Sequence, residues 1–528
     1  MNKFPKIHNY FVIGITILFF IVRALLSNTN YFFFDEGAAW YVSYFESFSS
    51  ILLGRYTNVG DLPFFYLLAK PFAFLQSKEI LKGLILLISV STILVYYQIS
   101  ILIFKKKIYR YVSMVLLTLS PAFMYYGQEF KSYLLGALLQ LTVILLYVYI
   151  QKQELPNGKY HVSFLVILFF ATFTSFSTSF MYVGLLSESF LRIRAGINTQ
   201  YQWKMVKHLS IMYLLFLVWF FPFIISNESS AMLENYVGYN VSFNYLLDKQ
   251  IVTTLGNLLS FFPHWIFINS EKTMRLFFNY LVPVSFILIS PILTALIYET
   301  LHNYAGKYFK KVDREISGIS TLKHFFVIFL LGSLGFSILF FNVFLTRLTL
   351  LLSLLFPILV VHYLSKAISY KKQTLAKVSI VIYFCTLLAL LTYANYVYIS
   401  LKKIEVNQGV SFLLENIKPE SCLVFTHAIA SNIFYFYSHT TPVRSQHKND
   451  AIFLLNYNNS ENFNITVSNL NNKVVRDGEC NQLIVFEYYA YWPKDSGTEL
   501  FMKLLDLYSL DRSFISGSTF KVTHYLKK

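Results

Sequence analysis

Two stretches of this chain, Leu84 to Phe104 and Val378 to Ile399, run for the thickness of a bilayer without a single charged residue. A helix needs about 20 apolar residues to cross membrane hydrocarbon, and the core elements of soluble proteins are rarely so long and so uniformly apolar. Composition agrees. Of the 528 residues 56% are apolar and 13% charged, about half the charged share of a soluble domain. A soluble fold of this size has too little interior to hide that surface. The 40 Tyr suit a membrane–water boundary, where the ring is buried and the hydroxyl stays wet.

A formal net charge of +17 raises the question of nucleic acid, but no basic region with interleaved aromatics appears. The excess sits in short loops between apolar segments, which is how orientation in a membrane is written. Lys3 and Lys6 precede a first apolar segment, Tyr10 to Leu26, with no small-residue cleavage site after it, so it reads as a retained span. The three cysteines form no zinc pattern. Cys385 falls in a span, leaving Cys422 with Cys480 as the one candidate disulfide; the sequence leaves that pairing open.

With the N-terminus cytoplasmic, about eleven spans are expected, near 10–26, 84–104, 110–126, 132–150, 163–178, 179–191, 209–226, 276–298, 324–344, 348–365 and 377–400. The segment from Ser163 to Leu191 is decisive. It is contiguous but carries a polar stretch, Thr172 to Ser179, near its middle. A single crossing would put Arg192, Arg194, Lys204 and Lys207 outside and invert every later loop. A double crossing keeps Lys105 to Lys107, Arg192 to Lys207, Lys307 to Lys323 and Lys366 to Lys377 all inside. The double crossing is therefore expected.

Three regions then lie outside. The first loop, 27–83, is long and amphipathic, with Pro63 and Pro71 in apolar helical stretches suited to the interface. The second runs from Ser226 to Arg275. The third is the tail, where polar residues return. β-rich runs at Cys422 to Phe425, Asn432 to Tyr437, Leu483 to Phe486 and Phe520 to Val522 are separated by helical patterns at Gly409 to Ile417 and Glu499 to Tyr508. That alternation predicts a small α/β domain over 401–528, outside the membrane, following a helical membrane domain over 1–400.

Three clusters bear chemistry. Asp35-Glu36 follows three Phe at the outer end of the first span. Loop acids are ordinarily solvated, but acids set against apolar surface at the bilayer edge are costly to ionise and tend to mark function. A carboxylate there can take a proton from an acceptor hydroxyl or hold a cation that does so. The second cluster is Ser120-Pro121 through Gly127-Gln128-Glu129-Phe130-Lys131-Ser132-Tyr133. Pro121 ends the preceding helix, Gly127 permits the turn, and Glu129 and Lys131 present opposite charges at the next helix start. The plainer reading is a capping turn with a local ion pair. Arg347 is the third, alone in charge between Phe325 and His362. It suits either a snorkelling anchor or a bidentate partner for a lipid-linked phosphate. Charge alone places all three clusters on one side of the membrane. Together they describe a transfer site with a phosphate leaving group.

At these residues the sequence resembles the GT-C glycosyltransferases, and among them bacterial relatives of dolichyl-phosphate-mannose–protein mannosyltransferases and lipid A aminoarabinose transferases. The family's Asp-Glu pair in the first outer loop is matched by Asp35-Glu36, and its Pro-rich amphipathic helix is resembled by Asp61-Leu62-Pro63 through Leu68. Its Ser-Pro turn leading to Gly-Gln-Glu-Ala-Arg-x-Tyr resembles Ser120-Pro121 through Tyr133, and its late Arg-Tyr resembles Arg347-Leu348 with Pro357. Lys131 stands where the family has Arg, Leu62 where it has the first Pro, and Leu348 where it has Tyr.

The resemblance implies a polytopic α-helical GT-C-like enzyme that moves a hexosyl or pentosyl group from a polyprenyl-phosphate donor to a glycan, lipid or protein acceptor. Transfer would occur on the extracytoplasmic face of a bacterial inner membrane, inverting the anomeric centre. It implies Asp35 as catalytic carboxylate with Glu36 beside it. Glu129, Gln128, Tyr133 and Asp61 would line the site, while Lys131 and Arg347 would bind phosphate. Metal dependence stays open, with Asp35 and Glu36 the ligands if a divalent ion takes part. Two other classes compete: a transporter or flippase, and a polymerase or ligase, of lipid-linked saccharides. Transporters tend to show inverted repeats and midplane charges; here no repeat is visible and the charges gather at the boundary.

Overall fold

The computed structural model describes residues 10–26, 34–54, 62–152, 158–225, 318–339, 350–369, 421–425, 452–454, 480–488, 503–516 and 520–528, with parts of 382–392, 412–416 and 468–472. Its helices are α1 (Tyr10–Leu26), α2 (Phe34–Phe45), α3 (Phe48–Leu53), α4 (Pro63–Ala73), α5 (Lys78–Ile103), α6 (Lys107–Thr118), α7 (Pro121–Tyr126), α8 (Ser132–Gln151), α9 (Gly158–Thr172), α10 (Thr178–Arg194), α11 (Thr199–Ile225), α12 (Gly318–Leu339) and α13 (Leu350–Ser369). Among the described residues, three segments are long and apolar enough to cross a membrane: Lys78–Ile103, Ser132–Gln151 and Thr199–Phe220. Shorter apolar helices lie within α1, α9, α12 and α13.

Each expected span coincides with a helix except that at 276–298, which lies outside the described residues; the one at 377–400 is described only in part. Several boundaries shift, α9 running Gly158–Thr172 rather than 163–178 and α11 beginning at Thr199 rather than 209, and two corrections bear on the site. The span expected at 84–104 begins at Lys78, because Ser77 caps it by accepting from the Ile80 N–H at 3.3 Å and Glu79 sits in its first turn. The span expected at 110–126 is two helices. Proline has no N–H to donate and its ring disfavours a helical residue before it, so α6 stops at Thr118 and α7 restarts with Pro121 in its first turn.

The polar stretch in the middle of Ser163 to Leu191 is a tight turn between two separate helices, α9 of 15 residues and α10 of 17. Gln140 of α8 donates to Ser177 Oγ at 2.8 Å and to Thr178 Oγ1 at 3.1 Å, and Thr178 Oγ1 donates to the Ala171 carbonyl at 2.9 Å. Gly136 makes room for the turn: a Cβ there would lie 2.8 Å from that of Ser175. Gln140 is about 12 Å along α8 from its first residue at 1.5 Å per residue, so the turn is sunk between the helix ends.

Contacts sort into two ends of the bundle. At one end Lys152 Nζ donates to the Leu102 carbonyl, Arg192 pairs with Glu188 beside Thr321, and His161 meets Tyr201 and His208. At the other, the Phe64 N–H donates to the Phe173 carbonyl and Trp219 Nε1 to that of Leu52. This is the up-and-down alternation that the charge pattern predicts.

In the tail a five-stranded sheet comprises β1 (Ser421–Phe425), β2 (Ile452–Leu454), β3 (Gln482–Tyr488), β4 (Tyr508–Ser516) and β5 (Phe520–Lys527), in the order β2-β1-β3-β5-β4. β1 pairs in parallel with β2 and β3, whereas β5 runs antiparallel to β3 and β4. Side chains alternate faces. Leu423, Phe425, Ile484, Phe486 and Val522 join the apolar core of the helices, while Cys422, Val424, Leu483 and Val485 pack with Leu470, Leu504 and Tyr508 on the opposite face. Cys422 and Cys480 form a disulfide with their Cα atoms 5.1 Å apart. The expected helix ending at Tyr508 is corrected at its end: among the described residues of that run 503–505 are helical, and Tyr508 opens β4. The strand expected at 432–437 lies outside the described residues.

Candidate active site

The first turn of α2 carries Asp35 and Glu36. Glu36 is fully buried. Its Oε1 takes the Lys82 ammonium from α5 and the Phe130 N–H at 2.8 Å. Lys82 Nζ also donates to the Gln128 carbonyl at 2.9 Å, and Ser89, two turns further along α5, donates to the Gly127 carbonyl at 2.9 Å. One face of α5 therefore holds the loop between α7 and α8 by its carbonyls, while Glu36 holds it by an N–H. An ionised carboxylate with two strong donors is what burial of that charge requires.

The loop is packed as tightly as it is bonded. Gly127 keeps a right-handed backbone with φ −69°, so its permissive torsion is not used; the need is for space. A Cβ at Gly127 would sit 2.6 Å from the Phe123 carbonyl oxygen and 3.0 Å from the Phe20 ring. Gln128, Glu129, Lys131 and Ser132 are all buried, and the Lys131 N–H donates to the Glu129 carbonyl at 2.7 Å. Tyr133 is half-buried with its ring edge-on to Tyr126 at 5.5 Å. From α4, Phe65 meets Phe130 edge-on at 5.2 Å, which closes α4 over the turn.

Lys70 of α4 closes the far end of α2. Its Nζ donates to the carbonyls of Ser43, at 3.1 Å, and Glu46, and lies 5.1 Å from the Phe74 ring centre. A cation at a helix C-terminus answers the orphan carbonyls and the dipole together. Burial pushes the Lys70 pKa below that of a free lysine, against the opposing pull of the Glu46 carboxylate. α2 is thus gripped at both ends.

Of the three clusters expected to converge, the Asp-Glu helix and the Gly127–Tyr133 loop meet directly through Glu36 and Phe130. Arg347 and Asp61 lie outside the described residues, as does the Asp35 side chain. α13, which starts three residues after Arg347, packs against α6, α7 and α8. Lys82 was missed by sequence reasoning. Its signal was a second lysine one helical turn after Lys78, in a segment about to enter the membrane opposite an acid pair.

No family model matches the chain, and no curated protein matches it in sequence. Solved structures do. ArnT from Cupriavidus metallidurans bound to undecaprenyl phosphate is similar with a TM-score of 0.54 at 10% identity, over 98% of this chain and 97% of that one. The apo form of the same protein gives 0.53 at 9% identity, over 98% and 97%. The archaeal oligosaccharyltransferase AglB from Archaeoglobus fulgidus, in complex with an inhibitory peptide and a dolichol-phosphate, gives 0.50 at 12% identity, over 100% of this chain and 75% of that one. The likeness spans helices and tail alike, and the chain has the GT-C fold.

Proposed function

We propose that this chain is an integral-membrane glycosyltransferase that moves a sugar from a polyprenyl-phosphate donor to an acceptor at the end of the bundle carrying α2 to α4. The observation that carries the reading is the brace of Glu36, Lys82 and Phe130, which fixes the Asp-Glu turn against the Gly127–Lys131 loop. It does so in a fold whose solved relatives hold undecaprenyl phosphate or dolichol-phosphate. That pairing supports a transferase over a transporter of lipid-linked saccharides.

Asp35 takes the proton of the acceptor hydroxyl, whose oxygen attacks the anomeric carbon. The bond from that carbon to the phosphate oxygen breaks, and the electron pair leaves with the lipid phosphate. Attack opposite the leaving group inverts the anomeric centre. Lys131 and Arg347 meet the growing negative charge on the phosphate, where preorganised cations act most strongly. Glu36 is a positioning residue, since its Oε1 is already taken by an ammonium and an N–H. A divalent cation on that oxygen would have to displace Lys82. By this reading the membrane is a bacterial inner membrane and the site faces away from the cytoplasm. The tail over 401–528 forms an extracytoplasmic domain concerned with the acceptor.

The test is loss of label from radiolabelled polyprenyl-phosphate sugars, comparing purified wild-type protein with Asp35→Asn. Consumption by wild type alone is the expected result. Equal turnover by Asp35→Asn would remove Asp35 from the chemistry, and no consumption of any donor would favour the transporter.

A further inference from the structure

The most exposed of the three long apolar helices is α11, and its exposed face has an ordered composition. Ile211, Leu214, Leu215 and Val218 are 47%, 62%, 64% and 64% exposed. One to two turns before them the same face carries Trp203, which is 53% exposed, with exposed Lys204 and Lys207. At 3.6 residues per turn these seven side chains fall within about a third of the helix circumference. The face is therefore an apolar stripe that ends in an indole and two ammonium groups. Trp203 is steadied edge-on at 6.0 Å by Phe190 of α10, itself 48% exposed. Neither lysine pairs with a carboxylate among the described residues. Toward its far end Trp219 bonds the Leu52 carbonyl of α3. The two indoles are thus 16 residues apart, about 24 Å at 1.5 Å per residue, which sets them toward opposite boundaries of the hydrocarbon.

From this order we infer that Trp203, Lys204 and Lys207 bind the headgroup of an anionic phospholipid in the leaflet away from the candidate active site. Its acyl chains lie along Ile211 to Val218, its glycerol region reaches Trp203, and its phosphodiester meets the two lysines one turn apart. A soluble anion would use the charges but leave the continuous stripe unexplained. A zwitterionic lipid would fill the stripe but leave two ammonium groups facing a headgroup of no net charge. Each basic side chain near a charged membrane surface contributes on the order of fivefold in affinity.

The test is lipid retention by the purified full chain in native mass spectrometry, titrating phosphatidylglycerol against phosphatidylcholine. Wild type should hold phosphatidylglycerol about twenty-five-fold better, the product of two such contributions. K204Q/K207Q should lose that preference, K204R/K207R should keep it, and all three should unfold at the same temperature in phosphatidylcholine. Equal retention of the two lipids by wild type would overturn the site, as would an unchanged preference in K204Q/K207Q. Displacement of phosphatidylglycerol by millimolar inorganic phosphate would reassign it to a soluble anion. None of these readings depends on sugar transfer.

Discussion

Removing one partner of the Glu36–Lys82 pair leaves a charge stranded where Phe65 and Phe130 exclude water, a loss of about 3 kcal/mol. Lys82→Met should therefore lower the unfolding temperature in detergent and also reduce transfer by the surviving folded protein. Glu36→Gln added to Lys82→Met should restore part of the stability, because the two side chains are coupled. Full additivity in a thermal-unfolding cycle would show that the pair does not act as a unit. Arg347→Ala should raise the donor KM about tenfold, near 1.4 kcal/mol, with little change in unfolding temperature. An unchanged KM with lower thermal stability would make Arg347 the snorkelling anchor instead. At this scale Glu36 and the Gly127–Lys131 loop were legible because acids beside three Phe and a Ser-Pro turn stand out in an apolar chain. Lys82 was not, because its partners lie 46 residues away on each side. Gly127 was legible for the wrong reason, being required by the Phe123 carbonyl and the Phe20 ring rather than by its torsion.

Helices α9 and α10 are separable in the sequence because a single crossing would export Arg192, Arg194, Lys204 and Lys207. Strands were harder. β1 and β3 hold continuous apolar runs, Cys422 to Phe425 and Leu483 to Phe486, that are buried on both faces and read easily, but β2 has three residues, and β4 carries Asp511 and Arg512 at a bulge. Charges and bulges mark strands that border a sheet, and they also hide them from a pattern search. Tyr508 ties β4 to the disulfide by donating to the Cys480 carbonyl at 2.7 Å, and burial pushes its pKa up to about 12. A raised pKa in the folded state contributes stability that is complete below pH 10, the ordinary tyrosine value, and is lost as pH rises through about 12. Tyr508→Phe should cost about 1 kcal/mol at neutral pH and flatten the alkaline decline in the stability of the tail. If thermal unfolding of that variant fell between pH 10 and 12 as steeply as wild type, another group would be responsible.

Among the described residues the contacts cited sort to two ends of the bundle, as the alternation expected from charge requires. Lys152, Glu188, Arg192 and His161 meet partners at one end, and Glu36, Lys82 and Phe64 at the other. What no pattern supplied is the depth of the α9–α10 turn. Helices of 15 and 17 residues reach only about 22 and 26 Å, short of the roughly 30 Å of a typical hydrocarbon core. Ser177 and Thr178 are buried against Gln140, so the lipid-facing surface of the hairpin is the short apolar face carrying Val162, Val166, Phe169 and Val183, and lipids that thin to match it are favoured. The protein should accordingly work best in thin bilayers. Transfer measured in vesicles of increasing acyl-chain length should slow as the chains lengthen, and a flat profile would show that neighbouring helices shield the hairpin. Under the proposed function, bilayer thickness becomes a setting of transfer, and the fatty acids of the membrane a control on its rate.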